Sequence, residues 1–170
     1  MDSPSTATSA RLAAQHGFTL IEAMVTIAIL AILLAIAVPS FDLLINRNRA
    51  QGSGKQLIAL LQYARAQAQI SHQEISVTPQ TAGDWTSPLV VSQRRGGDLA
   101  GSQAIELRRS RLDDAAQVQV RTSTSAARVV FDGNGIAESG LDYPLAFTFS
   151  SGSYRSKVCL QRSGAVWACE

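Results

Sequence analysis

Hydrophobic and polar residues follow different patterns in successive parts of this chain. The 19 residues from Ala23 to Phe41 carry no charge, and a helix rising about 1.5 Å per residue would cross the hydrocarbon core of a bilayer over that length. Further on, apolar residues recur at the three- and four-residue spacing of one helical face: Leu57, Leu60, Leu61, Ala64 and Ala68. The pattern predicts one long helix from about Phe18 to Ser71 whose second half is amphipathic.

Three residues inside this predicted helix are poor helix formers. Pro39 lies at the far edge of the apolar run, where a lost hydrogen bond and a ring clash predict a kink rather than an end. Gly52 and Gly54 each weaken a helix by about 1 kcal/mol relative to alanine, and they suggest a second bend between the two halves.

From Glu74 onward the period changes from that of a helix to that of a strand. Short alternating or β-branched runs, separated by turn-rich segments, predict eight strands: 74–78, 89–92, 105–109, 118–122, 128–131, 145–149, 157–161 and 166–169. The expected fold class is α+β, with a long amino-terminal helical spine packed against a mainly antiparallel β domain.

Composition narrows the range of functions. The 170 residues are 46% hydrophobic and 16% charged, and the net charge of +2 does not by itself indicate a nucleic-acid binder. The only histidines are His16 and His72, and the only cysteines are Cys159 and Cys169. A zinc site with several ligands or a Cys/His catalytic pair is hard to assemble from these, so we expect a non-enzymatic protein without a cofactor.

The segment before the apolar run reads GFTLIE, from Gly17 to Glu22. A secretory signal peptide has its small residues after the apolar stretch, whereas here the small residue comes first. The junction resembles the leader site of type IV prepilins and type II secretion pseudopilins. The resemblance implies that the prepilin peptidase cuts after Gly17 and methylates the new amino terminus at Phe18. It also implies four segments: leader 1–17, membrane-spanning helix 18–41, amphipathic periplasmic helix 42–72 and globular β domain 73–170.

Glu22 is an unusual residue for this position. A carboxylate at the start of a membrane-spanning helix costs about 2.5–3.5 kcal/mol unless it lies near the interface or is paired with a cation. After cleavage the nearest cation would be the free amine of Phe18, in the same chain or in a neighbour. The resemblance implies that this pairing serves subunit assembly. The alternative is a local role, since the helix macrodipole favours a carboxylate there by less than about 1 kcal/mol.

Three further motifs resemble the FimT/FimU-type minor pilins and the GspH-type pseudopilins. They are LLQYARAQA (60–68), VVFDGNG (129–135) and CLQRSGAVWAC (159–169). The resemblance implies a minor pilin that is incorporated into a type IV pilus and helps to prime its assembly. The alternative is the H-type pseudopilin of a type II secretion system.

The same resemblance implies a location and a set of partners. The chain would lie in the inner membrane as a single-pass protein with a periplasmic carboxyl-terminal domain, and would then enter the filament. Its partners would be membrane lipid before assembly, the prepilin peptidase, the inner-membrane assembly platform, and other minor and major pilins or pseudopilins.

Cys159 and Cys169 are expected to form a disulfide in the oxidising periplasm. An antiparallel hairpin centred on Gly164 would place them opposite each other, within the Cα separation that a disulfide requires. The alternative is a pair of independent buried thiols.

DNA binding is the alternative from a different class, because some FimT-type pilins act as DNA receptors. Arg155, Lys157 and Arg162 are the candidate residues. However, the Gly-Arg-x-Arg pattern of the DNA-binding members reads Gly164-Ala165-Val166-Trp167 here, so both arginines are missing. We therefore favour a solvated strand face over a DNA groove.

Overall fold

The structure, a computed structural model, describes residues 18–94, 104–138 and 142–169. It contains one long helix, α1 (Leu20–Ser71), followed by eight strands. These are β1 (Ile75–Pro79), β2 (Leu89–Gln93), β3 (Ile105–Ser110), β4 (Gln119–Thr122), β5 (Val129–Phe131), β6 (Leu145–Ser151), β7 (Tyr154–Leu160) and β8 (Val166–Cys169). The α+β fold class is confirmed, and each predicted strand is present. The predicted leader and its cleavage site after Gly17 lie outside the described residues.

The eight strands form two antiparallel sheets of four. The first sheet has the order β3-β2-β1-β5 and the second the order β4-β6-β7-β8. β6 and β7 are longer than predicted, because their ladder continues to the pair Ser151 and Tyr154. Gly152 makes this tight hairpin possible, since its φ of +54° is a conformation that glycine adopts readily.

Chain contacts divide the described residues into two units, one ending at Pro39 and one beginning at Ser40. In the first unit the described side chains of α1 are exposed. The most apolar 18-residue window of α1 has a mean hydropathy of 2.7 and none of it is buried, so by length and composition this part of the helix could cross a membrane.

In the second unit, α1 and both sheets share one hydrophobic core. The helix contributes the predicted apolar face, including Leu57, Leu61 and Ala64, each of which is fully buried. Strands contribute alternate residues, as in β6, where Leu145, Phe147 and Phe149 are buried. α1 continues through Gly52 and Gly54. A Cβ at position 54 would lie 3.3 Å from Val158 Cγ2, so this glycine lets the helix approach the second sheet closely.

Trp85 connects the two sheets from within the turn-rich segment between β1 and β2. It is 1% exposed, its indole nitrogen donates a hydrogen bond of 2.9 Å to the carbonyl of Ala126, and its ring packs edge-on against Phe147. Periodicity could not predict this core residue, because it belongs to a loop.

Candidate functional site: the helix and the loops it holds

The amino-terminal end of α1 begins with a side-chain cap. Thr19 Oγ1 accepts a hydrogen bond of 3.2 Å from the backbone nitrogen of Glu22, and Thr19 O accepts one of 3.1 Å from the nitrogen of Ala23. Thr-x-x-Glu is the sequence of a capping box, in which the two residues stabilise the first turn. Phe18 and Glu22 are both exposed, so the Glu22 carboxylate is available to a cation. Its pairing with the amine of Phe18 stays a prediction.

Pro39 lies inside α1, because the helix continues on both sides of it. It is the last residue of the first unit. The predicted interruption therefore does not end the helix, and the predicted kink stays a prediction.

Within the second unit, the strands and loops are held to α1 by polar side chains on the flanks of its apolar face. Nearest to Ser40, Asn46 Oδ1 accepts a hydrogen bond of 3.0 Å from Ser151 Oγ. Gln51 Nε2 donates one of 2.9 Å to Tyr154 Oη. A Cβ at Gly152 would lie 2.6 Å from Asn46 Nδ2. The turn between β6 and β7 is thus closely packed on the helix.

One turn further along, α1 holds the loop between β3 and β4. Ser53 Oγ donates a hydrogen bond of 2.9 Å to Asp113 O. Gln56 forms two hydrogen bonds with Asp113, accepting one of 2.7 Å from the backbone nitrogen and donating one to the carboxylate. Arg49 lies 4.0 Å from the carboxylate of Asp114. These contacts satisfy the polar groups of a loop that lies against the helix.

A third contact joins α1 to two loops at once. Arg65 Nε donates a hydrogen bond of 3.1 Å to Gly135 O, and its Nη2 donates one of 3.0 Å to Ser163 O. The two loops also touch each other, since a Cβ at Gly164 would lie 2.1 Å from Gly135 O. The three motifs quoted from the sequence therefore meet at one place. We call this place, formed by Arg65, Gly135, Ser163 and Gly164, the loop junction.

Tyr143 is a partly buried residue that packs against the core. Its hydroxyl donates a hydrogen bond of 2.8 Å to the carbonyl of Glu138. Burial raises the pKa of the Tyr143 phenol above its ordinary value, although the positive charge of Arg162 acts in the opposite direction. The phenol therefore keeps its proton at neutral pH and remains a donor.

Cys159 and Cys169 form a disulfide with a Cα separation of 5.8 Å. The predicted centre of their hairpin is wrong by one residue, so the pairing of β8 with β7 is shifted by two residues. Cys159 pairs with Trp167 and Lys157 pairs with Cys169, so the disulfide is diagonal and the hairpin is centred on Ser163. The reason is Gly164, whose φ of +80° makes it the last residue of a three-residue loop with a bulge instead of its middle residue.

The three basic residues predicted as DNA contacts do not form one group. Arg155 and Lys157 lie on the outer face of the second sheet, opposite Ser150 and Thr148 of β6. Arg121 of β4 also lies opposite Thr148 and extends this basic face, which the sequence did not reveal. Arg162 is in the turn before β8, about 16 Å along the strand direction from Lys157 at 3.3 Å per residue.

The described parts of the chain contain no group of three His, Cys, Asp or Glu residues that could hold a metal ion. Sequence reasoning missed the polar contacts of α1 with the loops, although one signal was available. Arg65 and Gln69 are four residues apart beside the predicted apolar face, and Gln69 Nε2 donates to Asn134 O at 3.2 Å.

Comparison with known proteins gives two matches in sequence. The sequence model of GspH, described as a type II transport protein, matches residues 53–164. The prokaryotic N-terminal methylation motif matches residues 12–38. No curated protein matches the chain.

Solved structures of a minor pilin and of a minor pseudopilin share the fold. The type IV minor pilin FimU of Pseudomonas aeruginosa superposes with a TM-score of 0.58 and 22% sequence identity, covering 73% of this chain and 90% of FimU. The minor pseudopilin EpsH of the Vibrio cholerae type 2 secretion system superposes with a TM-score of 0.53 and 14% identity, covering 71% of this chain and 96% of EpsH.

Proposed function

Because the chain belongs to the GspH family, we propose that it is a minor pilin, a non-enzymatic subunit that enters a type IV pilus and helps to prime its assembly. One observation carries this proposal. The N-terminal methylation motif overlaps the start of α1, and the same helix continues into a domain that it holds by its core face and by its loop contacts. A helix of this kind can anchor a subunit in a membrane and afterwards pack against the helices of other subunits.

The proposal assigns residues 1–17 to a leader that the prepilin peptidase removes, with methylation of Phe18. Residues 18–41 would span the inner membrane, 42–72 would form the periplasmic half of the helix, and 73–170 would form the globular domain. Support comes from the methylation motif at 12–38 and from the exposed apolar side chains of α1. Mass spectrometry of the mature protein tests this assignment, because it requires a chain that begins with N-methylated Phe18.

Glu22 is proposed to guide the subunit into the filament. In lipid, an ionised carboxylate without a cation is costly, so a partner that supplies a positive charge gains free energy by pairing with it. The methylated amine of a neighbouring subunit is such a charge. Pairing between subunits would draw one helix into register with the next. The proposed partners are therefore other pilins, together with the inner-membrane platform that delivers the subunit.

The second candidate is the H-type pseudopilin of a type II secretion system. The description of the matching family and the fold shared with EpsH favour it. Deletion of the gene, followed by parallel assays of twitching motility and of exoprotein secretion, separates the two. A minor pilin predicts lost piliation and motility with normal secretion. A secretion defect with normal piliation would show that the chain is a pseudopilin.

A further inference from the structure

A groove of about 410 Å³ lies at the start of the second unit, between α1 and the hairpin of β6 and β7. Its lining residues are Ser40, Leu43, Leu44, Arg47, Ser153 and Tyr154. We call it the hairpin groove. All of these residues belong to the unit that begins at Ser40. The groove is separate from the loop junction, which contacts α1 at Arg65.

The walls of the hairpin groove are held in place by the contacts of the neighbouring residues. Ser151, at the start of the turn, is bound to Asn46, and Tyr154, at its end, is bound to Gln51. The Arg47 guanidinium lies over the Tyr154 ring, 6.0 Å from its centroid, at the outer limit of a cation–π contact. The turn therefore contributes to a preformed groove.

The chemistry of the groove combines an apolar wall with one cation. Leu43 and Leu44 are 59% and 52% exposed, which is unusual for leucines beside a folded domain. Arg47 supplies the charge, and the lining contains no carboxylate. Apolar surface, an arginine and a tyrosine are the combination that suits the boundary between acyl chains and phosphate head groups.

The position of the groove along the chain agrees with this chemistry. The charge-free run ends at Phe41, and the groove begins at Ser40. From Leu43 to Arg47 a helix rises about 6 Å, which is similar to the head-group layer of roughly 5–8 Å on one side of a bilayer. Phe41, the last residue of the run, is 63% exposed and lies two residues before Leu43.

We propose that the hairpin groove binds a phospholipid of the membrane in which the chain is anchored. The acyl chain packs on Leu43 and Leu44, and the phosphate binds Arg47. The turn between β6 and β7 then rests in the head-group layer until the subunit leaves the membrane. This inference rests on the proposed function, because it requires that the apolar part of α1 spans a bilayer.

The test uses the full chain in nanodiscs of phosphatidylcholine with one quarter phosphatidylglycerol. A fluorophore is attached to one cysteine at a time, introduced as Ser153→Cys in the groove, Phe41→Cys in the apolar helix or Ser163→Cys at the loop junction. Labelling without reductant leaves the Cys159–Cys169 disulfide intact. Phospholipids that carry a nitroxide near the head group quench fluorophores that they contact.

The proposal predicts strong quenching at positions 41 and 153 and little at 163. If position 41 is quenched but position 153 is quenched no more than position 163, the groove does not bind lipid. The membrane anchor would then still be supported. If none of the three positions is quenched, the membrane anchor and the proposed function fail, and the groove fails with them. If the labelled phospholipids do not quench position 153 but a nitroxide attached to a second copy of the chain does, the groove is a subunit interface and the proposal is refuted.

A pair of arginine variants tests the role assigned to Arg47. Arg47→Gln should reduce the preference of position 153 for nitroxide-labelled phosphatidylglycerol over phosphatidylcholine by about fivefold, the effect of one basic residue near an anionic surface. Arg49→Gln is the matched control, since Arg49 lies beside Asp114 and outside the groove. Equal effects of the two variants, or no preference in the unmodified chain, would refute the phosphate contact.

Discussion

Gly164 decides how the last hairpin lies against the rest of the domain. Its φ is +80°, and an added Cβ would lie 2.1 Å from the carbonyl oxygen of Gly135 and 2.8 Å from Arg65 Nε. Both the turn and the loop junction therefore require a residue without a side chain. The positive φ and the lack of space each add to the cost of placing a side chain at position 164. A second glycine of the chain allows the two costs to be measured separately.

We expect Gly164→Ala to destabilise the protein much more than Gly83→Ala. Gly83 also has a positive φ, of +76°, but nothing lies within 4 Å of its added Cβ. Gly83→Ala should cost about 1 kcal/mol for the backbone conformation alone. Gly164→Ala should cost about 1–3 kcal/mol more, because Gly135 or Arg65 must move. Denaturant unfolding of the full chain in detergent measures both, and equal losses would contradict the role of the contact.

At the scale of the element, α1 combines two tasks in one helix. Its first part is apolar and exposed, and its second part buries one face while its polar flanks hold four loops. The close approach of α1 to the second sheet depends on Gly54. Gly52, two residues earlier, has open space around it, so the two glycines form a matched pair.

We expect Gly52→Ala to stabilise the protein by about 1 kcal/mol, the usual gain from replacing glycine by alanine in a helix. Gly54→Ala should stabilise the protein clearly less than Gly52→Ala, because its Cβ would lie 3.3 Å from Val158 Cγ2 and 3.7 Å from Phe149 Cδ2. Thermal unfolding of the two variants under identical conditions gives the comparison. Equal gains would mean that the sheet can move away from α1 without cost.

The disulfide is a second feature at this scale, since it joins β7 to the edge strand β8. We expect Cys159→Ala with Cys169→Ala to lower the free energy of unfolding by about 3 kcal/mol, the loop-closure value for a bridge of this length. Arg155→Ala, on the same face of β7, is the control and should change stability by less than about 0.5 kcal/mol. A loss no larger than that of the control would show that β8 is held by its ladder alone.

At the scale of the whole molecule, assembly is expected to depend on a charge at the very start of α1. Glu22→Ala should remain inserted in the membrane, because removing a carboxylate makes the helix more compatible with lipid. Its recovery in sheared pili should fall at least about tenfold if the pairing contributes 1.4 kcal/mol or more. Asp42→Ala, beyond the apolar run, is the control. Unchanged recovery of Glu22→Ala would exclude the pairing.

The basic face of the second sheet leads to a different prediction for the whole molecule. From Ser76 to the end of the chain the 10 basic and 9 acidic residues nearly balance, and Arg162 lies apart from Arg155 and Lys157. We therefore expect weak binding to duplex DNA. Two results together would contradict this expectation. One is micromolar binding with a salt slope of about −0.9 per contacted phosphate. The other is loss of that binding when these three residues are replaced by alanine.

The sequence by itself determined the elements of this protein. The charge-free run, the apolar face of the helix and the eight alternating segments are all local patterns, and the structure has a helix or a strand at each. The disulfide could also be predicted, because only two cysteines are present and both lie on one predicted hairpin. Such features depend on residues that are close together along the chain. The periodicity of apolar residues therefore predicts them directly.

Only the tertiary structure decided which distant residues meet. Arg65 bonds to carbonyls 70 and 98 residues away, Trp85 fills the core from a loop, and Arg121 joins the basic face through the order of the strands. The last hairpin is centred on Ser163 instead of Gly164 because of the conformation of Gly164. A periodic pattern carries no information on these contacts, because each depends on packing between segments that are far apart in the chain.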